Sequence, residues 1–296
     1  MLLTLLAAMV LAPYAYRRQA IARRCAAAAR LEALGVEFES QFGSIRLNHR
    51  AASDEAYVGV KVTAPFKGSS SDRQLFCHFP FVARADFHEP TWNPRDLDFL
   101  SYWPRLYSLS LRGPLVDDKS LGTLENATSL LSLDLEGELT DGRVQALFST
   151  LPKLKDVEAR PYFARQFAAC DRTSDGHTKL ERVSGVGSIS HISVSLMIDH
   201  FKAHHDIPIL FDKTISRETA DKSMFAGSLN LELDELLRRV VEPHGWMAVV
   251  QSKDILILPA EDAKKLPTVP WRTVWRRDSH GRVLVYRGLP VLMDTK

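Results

Sequence analysis

Between Val82 and Arg160 the apolar positions fall in a fixed pattern. Leu106, Leu109 and Leu111 stand as L-x-x-L-x-L, and Leu130, Leu133 and Leu135 repeat it 24 residues later. Val82, Ala85 and Phe87 hold these places one period earlier, and Leu154, Val157 and Ala159 one period later. Each triad predicts a short strand. Side chains alternate along a strand, so the apolar residues enter a core and those between them face outward. Between the strands a second apolar set follows helical spacing: Leu97 and Leu100, Leu121 and Leu124, then Val144, Leu147 and Phe148. Asp117 or Asp118, and Asp141, are placed to cap these helices. Pro104 and Pro152 are placed to end them.

This period and consensus resemble leucine-rich repeats. The run Leu-Glu-Gly-Glu-Leu-Thr-Asp from Leu135 to Asp141 resembles the bacterial kind with an LxGxxLTD turn. The asparagine that often follows the strand there is Pro114 in one copy and Glu138 in the next. The resemblance implies parallel strands with a concave face suited to protein contacts. In register, the outward residues form three columns. One is Arg84, Ser108, Ser132 and Asp156, and the next is Asp86, Ser110, Asp134 and Glu158. The third is His88, Arg112, Glu136 and Arg160, which alternates in sign from Arg112 and suits solvated ion pairs. The candidate protein-binding face is Asp86, Ser110, Asp134 and Glu158 with Arg112, Glu136 and Arg160. Its acidic column calls for a basic protein partner. A solvated face without a partner is the alternative.

Met1 to Tyr16 carries no charged side chain, and Arg17, Arg18, Arg23 and Arg24 follow. Sixteen helical residues rise about 24 Å, a little under the ~30 Å hydrocarbon core of a bilayer. Snorkelling arginines, or Ala20 and Ile21, supply the missing turn. This predicts a single-pass anchor in the cell membrane. A cleaved signal peptide fits less well, because no Lys or Arg precedes Leu2 and no clean A-x-A site follows. The side on which the rest of the chain lies stays open. Arginines on the C-terminal flank favour the cytoplasm, and an upstream start would reverse that. Gln19 to Leu34 continues the helix as a stalk, with Gly35 as its cap.

Residues 36–80 read as a β-rich cap over the first repeat, with strands at Val36–Ser40, Ser44–Asn48 and Tyr57–Val62. Lys67 to Asp72 reads as a loop. Residues 161–187 read as a linker. It includes the loops CDRTSDGHTK and, at its end, Ser184 to Ser188. From 188 to 260 the pattern is helix, strand, strand, helix, hairpin. The segments are SVSLMIDHFKAHHDIPILFD and LELDELLRRVVEPHGWMAVVQSKDILIL. Ser193 caps the first helix and Asp206 ends it. Pro243 and Gly245 end the second before Trp246. These segments resemble the short N-terminal domain shared by secretins and TonB-dependent receptors. The resemblance implies a small envelope-side interaction module. Residues 261–296 read as a tail with a hairpin turned at Gly281, its Trp271, Arg272, Trp275, Arg276 and Arg277 forming a solvated basic edge.

The chain has 296 residues, 45% hydrophobic and 25% charged, with net charge +2. That is an ordinary folded composition, and it gives no global case for nucleic acid. Cys25, Cys77 and Cys170 are odd in number and far apart, so free thiols are expected. His200 and His204 sit four apart on a helix with His205 adjacent, a spacing that suits zinc. The zincin pattern needs Glu after the first His, and Phe201 stands there. The expectation is therefore an α+β chain with an N-terminal transmembrane helix over residues 1–35, a cap over 36–80, repeats over 81–160 and a small module over 188–260. Its expected role is a membrane-anchored, non-enzymatic interaction protein, a scaffold or sensor. No cofactor, metal or nucleic acid is expected, and the oligomeric state is open. Envelope transport or signal relay is the second reading, and a metal-dependent enzyme the third.

Overall fold

A computed structural model describes residues 2–40, 43–44, 57–62, 66, 68–88, 94–117, 120–161, 167, 169–170, 178–182, 188–228 and 230–293. In chain order these form α1 (Leu2–Ala33), β1 (Val36–Ser40), β2 (Gly43–Ser44), β3 (Tyr57–Val62), α2 (Ser70–Gln74), β4 (Arg84–Phe87), β5 (Ser108–Asp117), β6 (Ser132–Glu138), α3 (Asp141–Thr150) and β7 (Asp156–Arg160). Then come β8 (Ser188–Ser193), α4 (Val194–His205), β9 (Ile209–Phe211), α5 (Arg217–Lys222), β10 (Met224–Ser228), α6 (Leu233–Val241), β11 (Trp246–Val250) and β12 (Ile255–Pro259). The chain closes with α7 (Ala260–Ala263), β13 (Thr268–Pro270), β14 (Thr273–Arg277), β15 (Val283–Arg287) and β16 (Pro290–Leu292). It divides into two compact units. The first is Met1–Ala159 with Trp275–Leu284, and the second is Arg160–Val274 with Val285–Lys296.

The sheet of the first unit runs β15-β14-β7-β6-β5-β4-β3-β1-β2 among the described residues. From β3 to β6 the neighbours are parallel. Residues 24 apart stand side by side: Ala85 opposite Leu109, Leu109 opposite Leu133, and Phe87, Leu111 and Leu135 in one rank. None of these six is more than 4% exposed. Leu97, Leu100, Leu121 and Leu124 are buried too, but on 3-10 helices, Pro94–Tyr102 and Ser120–Asn126. Among the described residues of these connections only α3 is α-helical. Its cap is Thr140, whose hydroxyl accepts from the Arg143 N–H, and Asp141 lies inside the first turn. Asp117 ends β5, and Asp118 lies outside the described residues.

The single-pass membrane anchor is overturned, and the cell-membrane location falls with it. Among the described residues no helix is long and apolar enough to cross a membrane. The helix α1 runs unbroken from the uncharged residues through Arg17, Arg18, Arg23 and Arg24, so charge cuts the apolar run short. The second half of α1 is no solvated stalk. Ala27, Ala28 and Leu31 are at most 3% exposed in the core of the first unit. Arg30 pairs with Asp72 at 2.8 Å, and the Arg24 guanidinium lies 4.8 Å from the Phe81 ring centre. Asp72 belongs to α2, where a loop was expected. The Ser69 hydroxyl accepts from the Asp72 N–H while the Asp72 carboxylate accepts from the Ser69 N–H, a capping box that stabilises one short helix. Of the expected strand Ser44–Asn48, residues 45–48 lie outside the described residues.

The second unit holds a two-stranded sheet, β10-β8, and a five-stranded sheet, β13-β16-β11-β12-β9. Ser193 caps α4 by accepting from the Leu196 N–H, and Asp206 ends it in the left-handed region at φ 50°. Val194, Met197, Ile198 and Phe201 of α4 are buried, as are Leu233, Leu236, Leu237, Val240 and Val241 of α6. Gly245 turns the chain into β11 at φ 75°. Further along the chain, β13 and β16 extend this sheet, while β14 lies beside β7, and β15 beside β14, in the other. Residues 171–177 and 183–187, where loops are expected, lie outside the described residues.

Because Leu133 is wholly buried and Asp134 is not, Leu133→Ala should destabilise the fold by about 2–5 kcal/mol. Asp134 keeps part of its side chain in water and its Arg112 contact is long, 3.5 Å, so Asp134→Ala should cost only about 1 kcal/mol. Urea denaturation of both variants checks this, and equal losses would contradict the strand register.

Candidate functional site

The register aligns the outward residues of the repeat strands in columns, and the third of these, expected to hold solvated ion pairs, is largely buried. Asp86, Ser110 and Asp134 stand side by side in the register. Arg112, with 12% of its side chain exposed, reaches across them. Its Nε donates to the Ser110 hydroxyl at 3.1 Å, Nη2 lies 3.5 Å from Asp134 Oδ2, and Nε is 3.8 Å from Asp86 Oδ1. His88 Nε2 sits 2.8 Å from the same Asp86 oxygen. Burial pushes the Asp86 carboxyl up, yet His88 and Arg112 together hold it below the ordinary carboxylate range. The acidic column is therefore laced by an arginine instead of repelling itself. Asp86 and Asp134 still expose 31% and 27% of their side chains, enough for a partner to touch. Glu158 is half-buried on β7.

The third column departs further. Glu136 is 3% exposed and Arg160 is 6% exposed, so neither belongs to a wet surface. Arg160 lies in the second unit, where it donates to Glu181. Both side chains of that pair expose only 8%.

Arg160 leads to a cluster that sequence reasoning missed. Arg272 also exposes 8% of its side chain. Its Nη1 is 3.7 Å from Glu181, and its Nη2 donates to Glu232 and lies 3.3 Å from both oxygens of Asp234. Asp234 is fully buried in the first turn of α6, and it accepts from Trp271 Nε1 at 3.0 Å and from the Tyr286 hydroxyl at 3.2 Å. The Arg272 guanidinium lies 4.7 Å from the Trp271 ring centre, and that of Arg160 lies 5.7 Å from it. Burial raises the Asp234 carboxyl above the ordinary range against the pull of Arg272. Burial, then the Asp234 charge, raises the Tyr286 hydroxyl. Burial also lifts the Cys170 thiol to about 12, which leaves it unreactive at neutral pH. Trp271 and Arg272 had been expected on a solvated edge. The two are 0% and 6% exposed. The available signal was the pair Glu232 and Asp234 ahead of an apolar helix, with cations far along the chain.

The histidines sit on α4. His204 Nδ1 is 3.0 Å from the His200 carbonyl oxygen, and the two rings are 3.9 Å apart. Among the described residues no group of three or more His, Cys, Asp or Glu is placed to hold a metal ion. His205 points inward at 4% exposure. Burial first, then His204, Arg182 and His200, lower its pKa to about 4.

A cavity of about 280 Å³ opens in the second unit between the end of α6, β11 and residues 268–270 and 287–290. Gly288 lies in its wall. A Cβ there would stand 2.3 Å from Trp271 Nε1 and 3.1 Å from Asp234 Oδ2, so only glycine lets the chain pass over the buried charges.

Compared with known proteins, the chain matches no family model, no curated protein and no solved structure.

Removing one partner of a buried charge network strands the others. Asp234→Ala should therefore cost about 3–5 kcal/mol, while Tyr286→Phe, which deletes one donor, should cost about 1 kcal/mol. Denaturant titration of the two variants distinguishes them. Reversed magnitudes would show that Asp234 does not anchor the cluster.

His205 adds an acid response. A base whose folded pKa is depressed binds fewer protons folded than unfolded. Its stabilising effect is complete above about 6.5 and is lost as pH falls toward about 4. His205→Leu should lose less stability than the unsubstituted chain across that window in urea melts. Parallel curves would remove His205 from the acid response.

Proposed function

We propose that the chain is a non-enzymatic protein-interaction protein that presents its repeat strands to a basic partner. The observation that carries this reading is the rank Asp86, Ser110, Asp134 on three adjacent parallel strands, carboxylates partly exposed and held in place by Arg112. Fixed side chains lose little rotamer freedom on binding, which favours a face that is ordered beforehand. Asp156, whose carboxylate accepts from the Ser132 hydroxyl, and Glu158 extend the acidic strip on β7. In this reading the strands are leucine-rich repeats, and residues 188–260 are a short secretin/TonB-like module that contributes contacts of its own. The motifs set out above support both assignments.

Rim charges set association rate and salt dependence more than they set the fold. The double change Asp134→Ala with Glu158→Ala should thus weaken capture of a basic protein partner, while circular dichroism stays unchanged. Raising salt should weaken the unsubstituted interaction in the same direction. The measurement is affinity capture with the full chain and the double variant at low and high salt. An identical set of captured proteins in all four conditions would falsify the acidic strip as the binding surface.

A further inference from the structure

We infer that the open edge of β10 takes up an extended, uncharged peptide segment as an added strand. This site lies wholly in the second unit and is independent of the acidic strip. The two-stranded sheet gives β10 one neighbour, β8, with which it runs antiparallel. A hollow of about 230 Å³ follows β10. Every residue of Met224–Ser228 lines it, and among the described residues none of β8 does. A hollow over one face of the sheet would be lined by alternate residues, because side chains alternate along a strand. The hollow therefore lies along the edge away from β8. Across it stand Arg239 of α6, and Pro243 and His244 of the turn that follows.

An edge strand turns part of its backbone N–H and C=O groups away from its partner. Among the described residues, Met224–Gly227 make no backbone–backbone hydrogen bond outside the β8 ladder. The facing wall is helical, so its backbone cannot continue that ladder. An extended backbone carries N–H and C=O partial charges in the matching alternation, and this is how a peptide adds to a sheet edge. The strand Met-Phe-Ala-Gly-Ser has no charge and no proline, two of the devices that guard such an edge. A second copy of the chain would bring the same helical wall to the same edge, and two walled edges cannot close on each other. An isolated segment brings no wall. The side chains of β10 set the pattern of that segment. Phe225 is 7% exposed, and the end of its ring lies 2.7 Å from where a Gly227 Cβ would stand. One ring thus covers both inner positions, and a β-branched apolar residue beside it makes a favourable cross-strand pair. Met224, Ala226 and Ser228 face water, so the residues beside them are polar.

The probe is the capped pentapeptide TVTVT. The control is the same peptide N-methylated at its central residues, which keeps the side chains and removes the donors. Each is added to the full chain, and hydrogen exchange of residues 224–228 is read by mass spectrometry. TVTVT should slow exchange there about fivefold or more, and the N-methylated peptide should leave it unchanged. Pro243→Trp, at an exposed position, puts a large ring into the hollow and should abolish the slowing while circular dichroism stays unchanged. If that variant loses its fold, the N-methylated control still decides. No slowing by TVTVT, equal slowing by both peptides, or slowing confined to other strands would overturn the added strand. So would exchange at 224–228 that slows with protein concentration alone, which would put a second copy on the edge.

Discussion

A buried leucine on a strand has to be met by an apolar neighbour on the next strand, ~4.8 Å away. In the first unit that condition is met four times by one rule, a step of 24 residues. Leu109 meets Ala85 on one side and Leu133 on the other, and Leu111 meets Phe87 and Leu135. Slipping the register by one residue would turn Asp134 into the core and Leu133 into water. The connections between strands are then free to vary. One is a capped α-helix and two are 3-10 helices, yet all keep their leucines inside. The start of the array is closed by aromatic rings. Phe76, Phe87 and Phe99 gather round Trp103 with centres 5.2–6.4 Å away.

The second unit solves a different problem. It takes two arginines and two carboxylates largely out of water, with Glu232 half-exposed beside them. Desolvation of such charges costs several kcal/mol each, and the attraction between them offsets this only when geometry and hydrogen bonds are both good. Asp234 has three side-chain donors around it, Trp271, Tyr286 and Arg272. Trp271 faces two guanidinium groups. The cluster fixes which residues lie over which, because each member has few other partners that could replace the one it has.

What the sequence made legible follows from what is local. The triads, the Ser193 cap, the left-handed Asp206 and Gly245, and the turn at Gly281 all declare themselves within a few residues. The pairing of Arg272 with Asp234 spans 38 residues, and that of Arg160 with Glu181 spans 21, through a stretch that reads as linker. No period or spacing announces either pair. The same limit applies to α1. Its composition resembles a membrane segment, and only the packing of Ala27, Ala28 and Leu31 tells where its second half belongs. The outward columns were half legible. The register places Asp86, Ser110 and Asp134 in one rank, but periodicity says nothing about how deeply Glu136 and Arg160 are buried.

The segment Trp275–Leu284 belongs to the first unit although the whole of Arg160–Val274 precedes it in the chain. The chain thus leaves the first unit for Arg160–Val274, returns to it for Trp275–Leu284, and enters the second unit again at Val285. On the ribosome, β7 emerges long before β14, the strand that will lie beside it. Until then its outer edge presents unpaired backbone groups, the kind of surface on which chains associate wrongly. The strand β16, which lies between β13 and β11 in the second unit's sheet, is made later still, so that sheet is not complete until residues 290–292 have emerged. A chain cut after Ala159 would never be sealed at all.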